Sequence, residues 1–155
     1  MSTVDSSLRD AELFAGMPPE RLALLAGHAR DVSFHAGDAL LREGDPADVF
    51  YVLRQGTVAI ELFVPTRGLV PIETVGAGGL VGWSWLFPPY RLVFDAHALS
   101  PVTASVVDGA RLRSQFAADP ALAYDVLVRV SRVLAERLWA TRLRLLDVYG
   151  NPEQG

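Results

Sequence analysis

Residues 36–61, AGDALLREGDPADVFYVLRQGTVAIE, admit very few folds. Gly37-Asp38, Gly44-Asp45-Pro46 and Gln55-Gly56 separate short apolar runs with almost no slack between them. Glycine accepts positive φ at low cost, proline cannot donate to a strand ladder, and Gly, Asp and Pro together mark turns. The spacing therefore predicts a compact antiparallel roll of short strands, each joined tightly to the next.

The same period extends on both sides. Val32 and Phe34 alternate with Ser33 and His35, and Val58, Ile60, Leu62 and Val64 share one face of a longer strand. Residues 70–75, 93–99 and 102–107 read as further strands. Gly76, Gly78, Gly79 and Gly82 interrupt the pattern between them. Ahead of the roll, residues 8–14 predict a short helix stopped by Gly16, and residues 18–28 a second one with prolines in its first turn. Residues 1–7 read as a polar, frayed start. Behind the roll, Asp108 caps a helix over 110–117. Asp119-Pro120 then opens a long helix that runs to about Tyr149, with Gly150 and Pro152 as its stop. The fold class expected is α+β. It is an antiparallel eight-stranded double-stranded β-helix, or jelly-roll-like β-roll, with short N-terminal helices and a long C-terminal helix. One domain over residues 1–155 is expected, with helices in 1–29, the roll in 30–108 and helices again in 109–150.

Composition narrows the function classes. Half of the residues are hydrophobic, enough for a sizeable core in 155 residues. The net charge is −4, and all fourteen basic residues are Arg. A nucleic-acid surface normally shows a basic face. The Arg residues of the long helix are instead interleaved with Asp125, Glu136 and Asp147, which reads as a solvated charged face. With no cysteine, disulfides, thiolate metal sites and cysteine nucleophiles are excluded. No secretory signal and no window of membrane-spanning length is evident, so a cytoplasmic protein without membrane association is expected. The three histidines, His28, His35 and His97, do not stand at metal-ligand spacing. Asp95 and His97 share a strand face, but no nucleophile elbow accompanies them, and no phosphate-binding glycine loop of the nucleotide-hydrolase type is present. No enzymatic activity and no cofactor are expected.

In the long helix Leu127, Val130, Leu134, Leu138, Thr141, Leu145 and Val148 follow at intervals of three or four. They form one stripe on a helix roughly 40 Å long at 1.5 Å per residue. Such a helix overreaches a small roll, so its far end needs another surface. A two-helix seam in a homodimer supplies one; a helix packed wholly on its own domain is the alternative. Trp139 and Leu143 lie off the stripe.

Gly37, the run Glu43-Gly44-Asp45-Pro46-Ala47-Asp48, and Tyr51, Leu53, Gly56, Val58 and Ile60 together resemble the cyclic-nucleotide-binding domain family over nearly the whole chain. The resemblance implies a regulatory module. It also implies a phosphate-binding cassette: a Gly-Glu pair, a short helix, then an Arg before an alternating strand. There the N–H groups of the helix start and the Arg receive the cyclic phosphate, and the Glu accepts from the ribose hydroxyl. The matching segment is GAGGLVGWSWLFPPYRLVFDAHAL. Gly82 falls on the family's glycine and Trp83 on its Glu; an indole accepts no hydrogen bond. Arg91 is the candidate phosphate ligand, yet Leu92 holds the expected place, so either the Pro88-Pro89-Tyr90 loop absorbs the shift or Arg91 points elsewhere.

The candidate ligand contacts are Gly82, Trp83, Ser84, Trp85 and Arg91, with Thr141 and Arg142 on the long helix where some family members touch the base. Trp83, Trp85, Phe87 and Tyr90 form an aromatic wall for a purine, or fill the pocket from inside while Arg91 pairs with Asp95 or another acid. The expected ligand is a small anion, cyclic AMP or cyclic GMP among the candidates. The expected output runs through the C-terminal helix to an unidentified effector protein. Family transcription regulators carry a helix-turn-helix after the long helix; direct DNA binding by this chain is not expected. The alternatives are an interaction domain with a self-filled pocket and the sensor fragment of a transcription regulator.

Overall fold

A computed structural model describes residues 8–150 of the chain, with side chains to Val148. The expectations for residues 1–7 and for Pro152 lie outside the described residues. A 3-10 turn at Glu12–Phe14 and helix α1, Pro19–Ala26, precede the roll. Its strands are β1 (Ala29–Phe34), β2 (Ala39–Leu41), β3 (Val49–Gln55), β4 (Val58–Val64), β5 (Gly68–Val75), β6 (Leu80–Val81), β7 (Asp95–Ala98) and β8 (Val102–Asp108). Helices α2 (Gly109–Ser114) and α3 (Pro120–Gly150) follow. The eight strands pair antiparallel in two four-stranded sheets, ordered β1-β8-β3-β6 and β2-β7-β4-β5.

The turns follow from the glycines. Gly37, Gly44 and Gly56 adopt φ of 92°, 89° and 95°, where a side chain is strained. At Gly56 a Cβ would lie 2.3 Å from the Pro101 carbonyl oxygen, so the β3–β4 turn also needs the missing side chain for space. β3 sits inside its sheet, between β8 and β6, and is covered on both faces, which explains its unbroken apolar run. Alternation sends Tyr51 into the roll, where its hydroxyl donates to the Leu40 carbonyl, and Phe50 toward the helices, where it stacks on Trp85 with centroids 5.0 Å apart. Burial pushes the Tyr51 phenol up, against a lowering by Arg30.

Asp108 accepts from the Arg111 amide at 3.0 Å and Asp119 from the Leu122 amide at 3.1 Å, so both expected caps form. The strand the sequence pattern does not mark is β6. Two residues among the glycines pair with Tyr51 and Val52, and Gly78 and Gly79 exchange bonds with Leu53. On α3, Leu122, Val126 and Val130 are buried on the domain, whereas Leu138, Leu145 and Val148 are 53%, 52% and 69% exposed. The stripe therefore divides into a packed near half and an uncovered far half.

Candidate functional site

The cassette leaves β6 through Gly82, whose φ of 99° turns the chain over β3. A Cβ there would meet the Leu41 side chain and the Val49 carbonyl at 3.4 Å. Trp83 follows, then a 3-10 turn at Ser84–Leu86, the cis Pro88-Pro89 bond, and Tyr90 at φ 57°. Backbone bonds fix the exit: Ala47 N–H to the Tyr90 carbonyl, Leu92 N–H to Asp45, and Gly44 N–H to Leu92. Arg113 of α2 closes the loop from behind. Its guanidinium lies 3.7 Å from the Tyr90 ring centroid and donates to the Trp85 carbonyl. Sequence reasoning missed Arg113, since neither an aromatic face nor a carbonyl partner leaves a trace at its position.

The candidates separate. Trp83 is half-buried and packs on Phe87 and Phe94, with centroids 5.9 and 6.1 Å away. Phe94 is buried and follows Leu92 on the inward-facing side, ahead of Ala96 and Ala98. Trp85 lies elsewhere: fully buried, between Phe50 and Phe116 and against Gly109, it belongs to the core under α2 rather than to an aromatic wall shared with Trp83. Ser84 is 4% exposed, and its hydroxyl has no hydrogen-bond partner among the described residues.

Arg91 turns away from the roll. It is exposed, bridges Pro46 through its backbone, and among the described residues its Nη1 reaches only the Gly44 carbonyl, at 3.5 Å. Leu92, one residue on, points inward and is 5% exposed. The reason is register: the Gly44–Leu92–Asp45 backbone bonds fix which residue faces in, and an offset of one places a side chain on the opposite side. The loop does not absorb the shift. Nor does Arg91 pair with Asp95, whose carboxylate accepts from the Glu43 amide at 2.8 Å.

Thr141 and Arg142 are exposed. The Thr141 hydroxyl donates back to the Arg137 carbonyl at 2.9 Å and accepts from Arg144 at 3.3 Å, so it is satisfied within the helix. The same helix face carries Arg137, which donates to the Leu80 carbonyl and lies 3.7 Å from Glu73, and Arg144, which donates to the Ile72 carbonyl at 2.6 Å. Burial lowers the Arg137 pKa, against a raising by Glu73. His97 and Asp95 do share the outer strand face, but His97 Nδ1 meets Glu61 at 2.5 Å rather than Asp95.

A cavity of about 540 Å³ lies between the Glu12–Phe14 turn, Gly78–Leu80 at the start of the cassette segment, and α3; it includes none of Gly82, Trp83, Ser84, Trp85 or Arg91. No group of three or more metal-ligating side chains occurs among the described residues, and no described helix is long and apolar enough to cross a membrane.

These features have known counterparts. The family profile described as cyclic nucleotide-binding domain matches residues 31–119. The CRP-like cAMP-activated global transcriptional regulator of Mycobacterium tuberculosis is 30% identical over 145 residues, covering 94% of this chain and 63% of the regulator. The chain thus spans less than two thirds of that relative's length. Among solved structures, a Geobacter metallireducens GS-15 protein designated cyclic nucleotide-binding superposes with a TM-score of 0.80 at 28% identity, over 89% of this chain and 99% of that one. The N-terminal domain of a transcriptional regulator from Streptomyces coelicolor A3(2) gives 0.67 at 30% identity, over 84% and 93%. Roll, cassette turn and long helix together place this chain in the cyclic nucleotide-binding domain family, a family of regulatory sensor domains.

Proposed function

We propose that this chain is a non-enzymatic regulatory module whose roll has exchanged the family's polar ligand chemistry for an apolar filling. Its output runs through α3 to a partner. One observation carries this: Trp83 and Leu92 occupy the positions where the resemblance expects the Glu and the Arg, while Arg91 faces outward. A cyclic phosphate entering the roll would meet Leu92 and Phe94 rather than a guanidinium, and its charge would stay uncompensated in a desolvated site. The uncovered far half of α3, with Leu138, Leu145 and Val148, supports pairing with a second copy.

The second reading is a different small anionic ligand held at the cassette turn. It is favoured by the Ser84 hydroxyl, buried and unpartnered at the start of the 3-10 turn. Thermal-shift and calorimetric titration with cyclic AMP, cyclic GMP and cyclic dinucleotides test both. At a ligand concentration one hundred times Kd, binding stabilises by about 2.7 kcal/mol, a rise of roughly 5–10 °C for a domain this size. The apolar-filling reading expects no shift with any of them. A saturable shift would overturn it, and loss of that shift in Ser84→Ala but not in Arg91→Ala would establish the second.

A further inference from the structure

We propose that Arg137 and Arg144 form a releasable polar clasp that sets where the distal half of α3 lies on the roll. The near half is held by apolar burial at Leu122, Val126 and Val130. Beyond Arg137 that mode of attachment ends: Leu138, Trp139, Leu143, Leu145, Leu146 and Val148 are all exposed, at 43% or more. Among the described residues, the hydrogen bonds and ion pairs that join this half to the roll come from two guanidinium groups. Arg137 donates to the Leu80 carbonyl of β6 and faces Glu73 of β5 at 3.7 Å. Arg144, two turns on, donates to the Ile72 carbonyl of β5 at 2.6 Å. Ile72 lies within β5 and Leu80 opens β6, so the two acceptors stand on the strands either side of the Gly76–Gly79 turn.

The clasp is poorly saturated. Arg137 has five donors, yet among the described residues it meets one carbonyl and one carboxylate beyond hydrogen-bond distance. Burial depresses its pKa, as expected for a cation desolvated faster than it is compensated. A group offering it two oxygens in one plane would bind it better than this pair does. The near half of the helix, up to Arg137, has room beside it. The 540 Å³ cavity shares Leu80 and Arg137 with the clasp and runs along α3 past Val133 and Arg132 to the Glu12–Phe14 turn. With apolar burial ended, these two polar contacts fix where the distal half lies, and a competing group that takes the guanidinium groups would free it. The inference concerns α3 alone and does not depend on what fills the cassette.

The chain has no cysteine, so spin labels can be placed at will. Arg67→Cys on the β4–β5 turn and Leu146→Cys on α3 report the separation of helix and roll. Pulsed electron-electron distance measurements, with labelled chains diluted in unlabelled ones, isolate the intramolecular distance. The clasp expects one narrow distribution in this background. It expects a broad or bimodal one when Arg137→Met and Arg144→Ala are added, with Met keeping the apolar stem of Arg137 in place. Should that protein fail to fold, Arg144→Ala alone, at an exposed position, must broaden the distribution. An unchanged narrow distribution in a folded clasp variant overturns the proposal.

Discussion

Gly109→Ala tests whether Trp85 belongs to the core or to a ligand wall. Gly109 opens α2 and lies against the face of the indole. A Cβ there would stand 2.7, 2.8 and 2.9 Å from Cδ2, Cγ and Cε3 of Trp85. The ring cannot swing away, because Phe50 stacks on it at 17° and Phe116 packs 6.2 Å from it. Overpacking of a fixed core costs about 1–3 kcal/mol. Alanine is the better helix former by up to about 1 kcal/mol in a helix interior, and a first-turn position recovers less than that. The steric term wins, leaving a net loss of about 1–2 kcal/mol and a Tm lower by roughly 2–8 °C. Urea and thermal unfolding measure it. Trp85→Phe removes part of the indole, so the double variant should lose less than the sum of the two singles, by on the order of 1 kcal/mol. A neutral or stabilising Gly109→Ala, or strictly additive losses, would refute the fixed indole.

Three further outcomes are expected. Gly56→Ala and Gly44→Ala both place a side chain at positive φ, but only Gly56 also collides with the Pro101 carbonyl and Val102, so its unfolding midpoint should fall much further. Asp125 would be raised by burial, yet hydrogen bonds from Arg129 and Arg21 outweigh this and hold its carboxyl below the usual range. Its folded pKa is depressed, so its stabilisation is present above the unfolded value of about 3.9 and is lost as pH falls through the folded one. The stability gap between wild type and Asp125→Asn should therefore be full near neutrality and shrink below about pH 4. Leu138→Glu should convert a dimer to monomer in sedimentation, and an unchanged dimer would exclude that part of α3 as the seam.

The roll was legible because glycine chemistry is local. Gly37, Gly44 and Gly56 each bend the chain at positive φ where residues 36–61 predicted a turn. β6 was not legible, because a two-residue strand has no period and is held by pairing with β3. The cassette was half legible: Gly82 turns at positive φ where the resemblance expects a glycine, but the direction of Arg91 is decided by backbone bonds to Gly44 and Asp45, forty-odd residues away. Trp83 and Trp85 look alike in sequence. Only tertiary packing separates one on the cassette from one sealed under α2. The partners of Arg113, Arg137 and Arg144 include main-chain carbonyls, which any residue type supplies, so no pairing pattern could reveal them.

The two replacements in the cassette act in the same direction. A Glu and an Arg facing into an unliganded roll would each be desolvated, and removing one partner of a buried pair typically costs about 3–5 kcal/mol. Trp83 and Leu92 carry no charge, so under the proposed apolar filling the roll holds no buried charge at these positions for an anion to compensate. Leu92→Arg reverses the argument. At a position 5% exposed it would bury an unpaired guanidinium and lose the apolar packing of the leucine, for a loss of about 3 kcal/mol or more. Adding Trp83→Glu supplies a counter-charge and should return part of the loss. Urea unfolding of the two singles and the double gives the coupling between the positions. The double, unlike the wild type, should be stabilised by cyclic AMP. If Leu92→Arg costs nothing, the guanidinium is reaching water, the roll interior is open at residue 92, and the apolar filling does not exist.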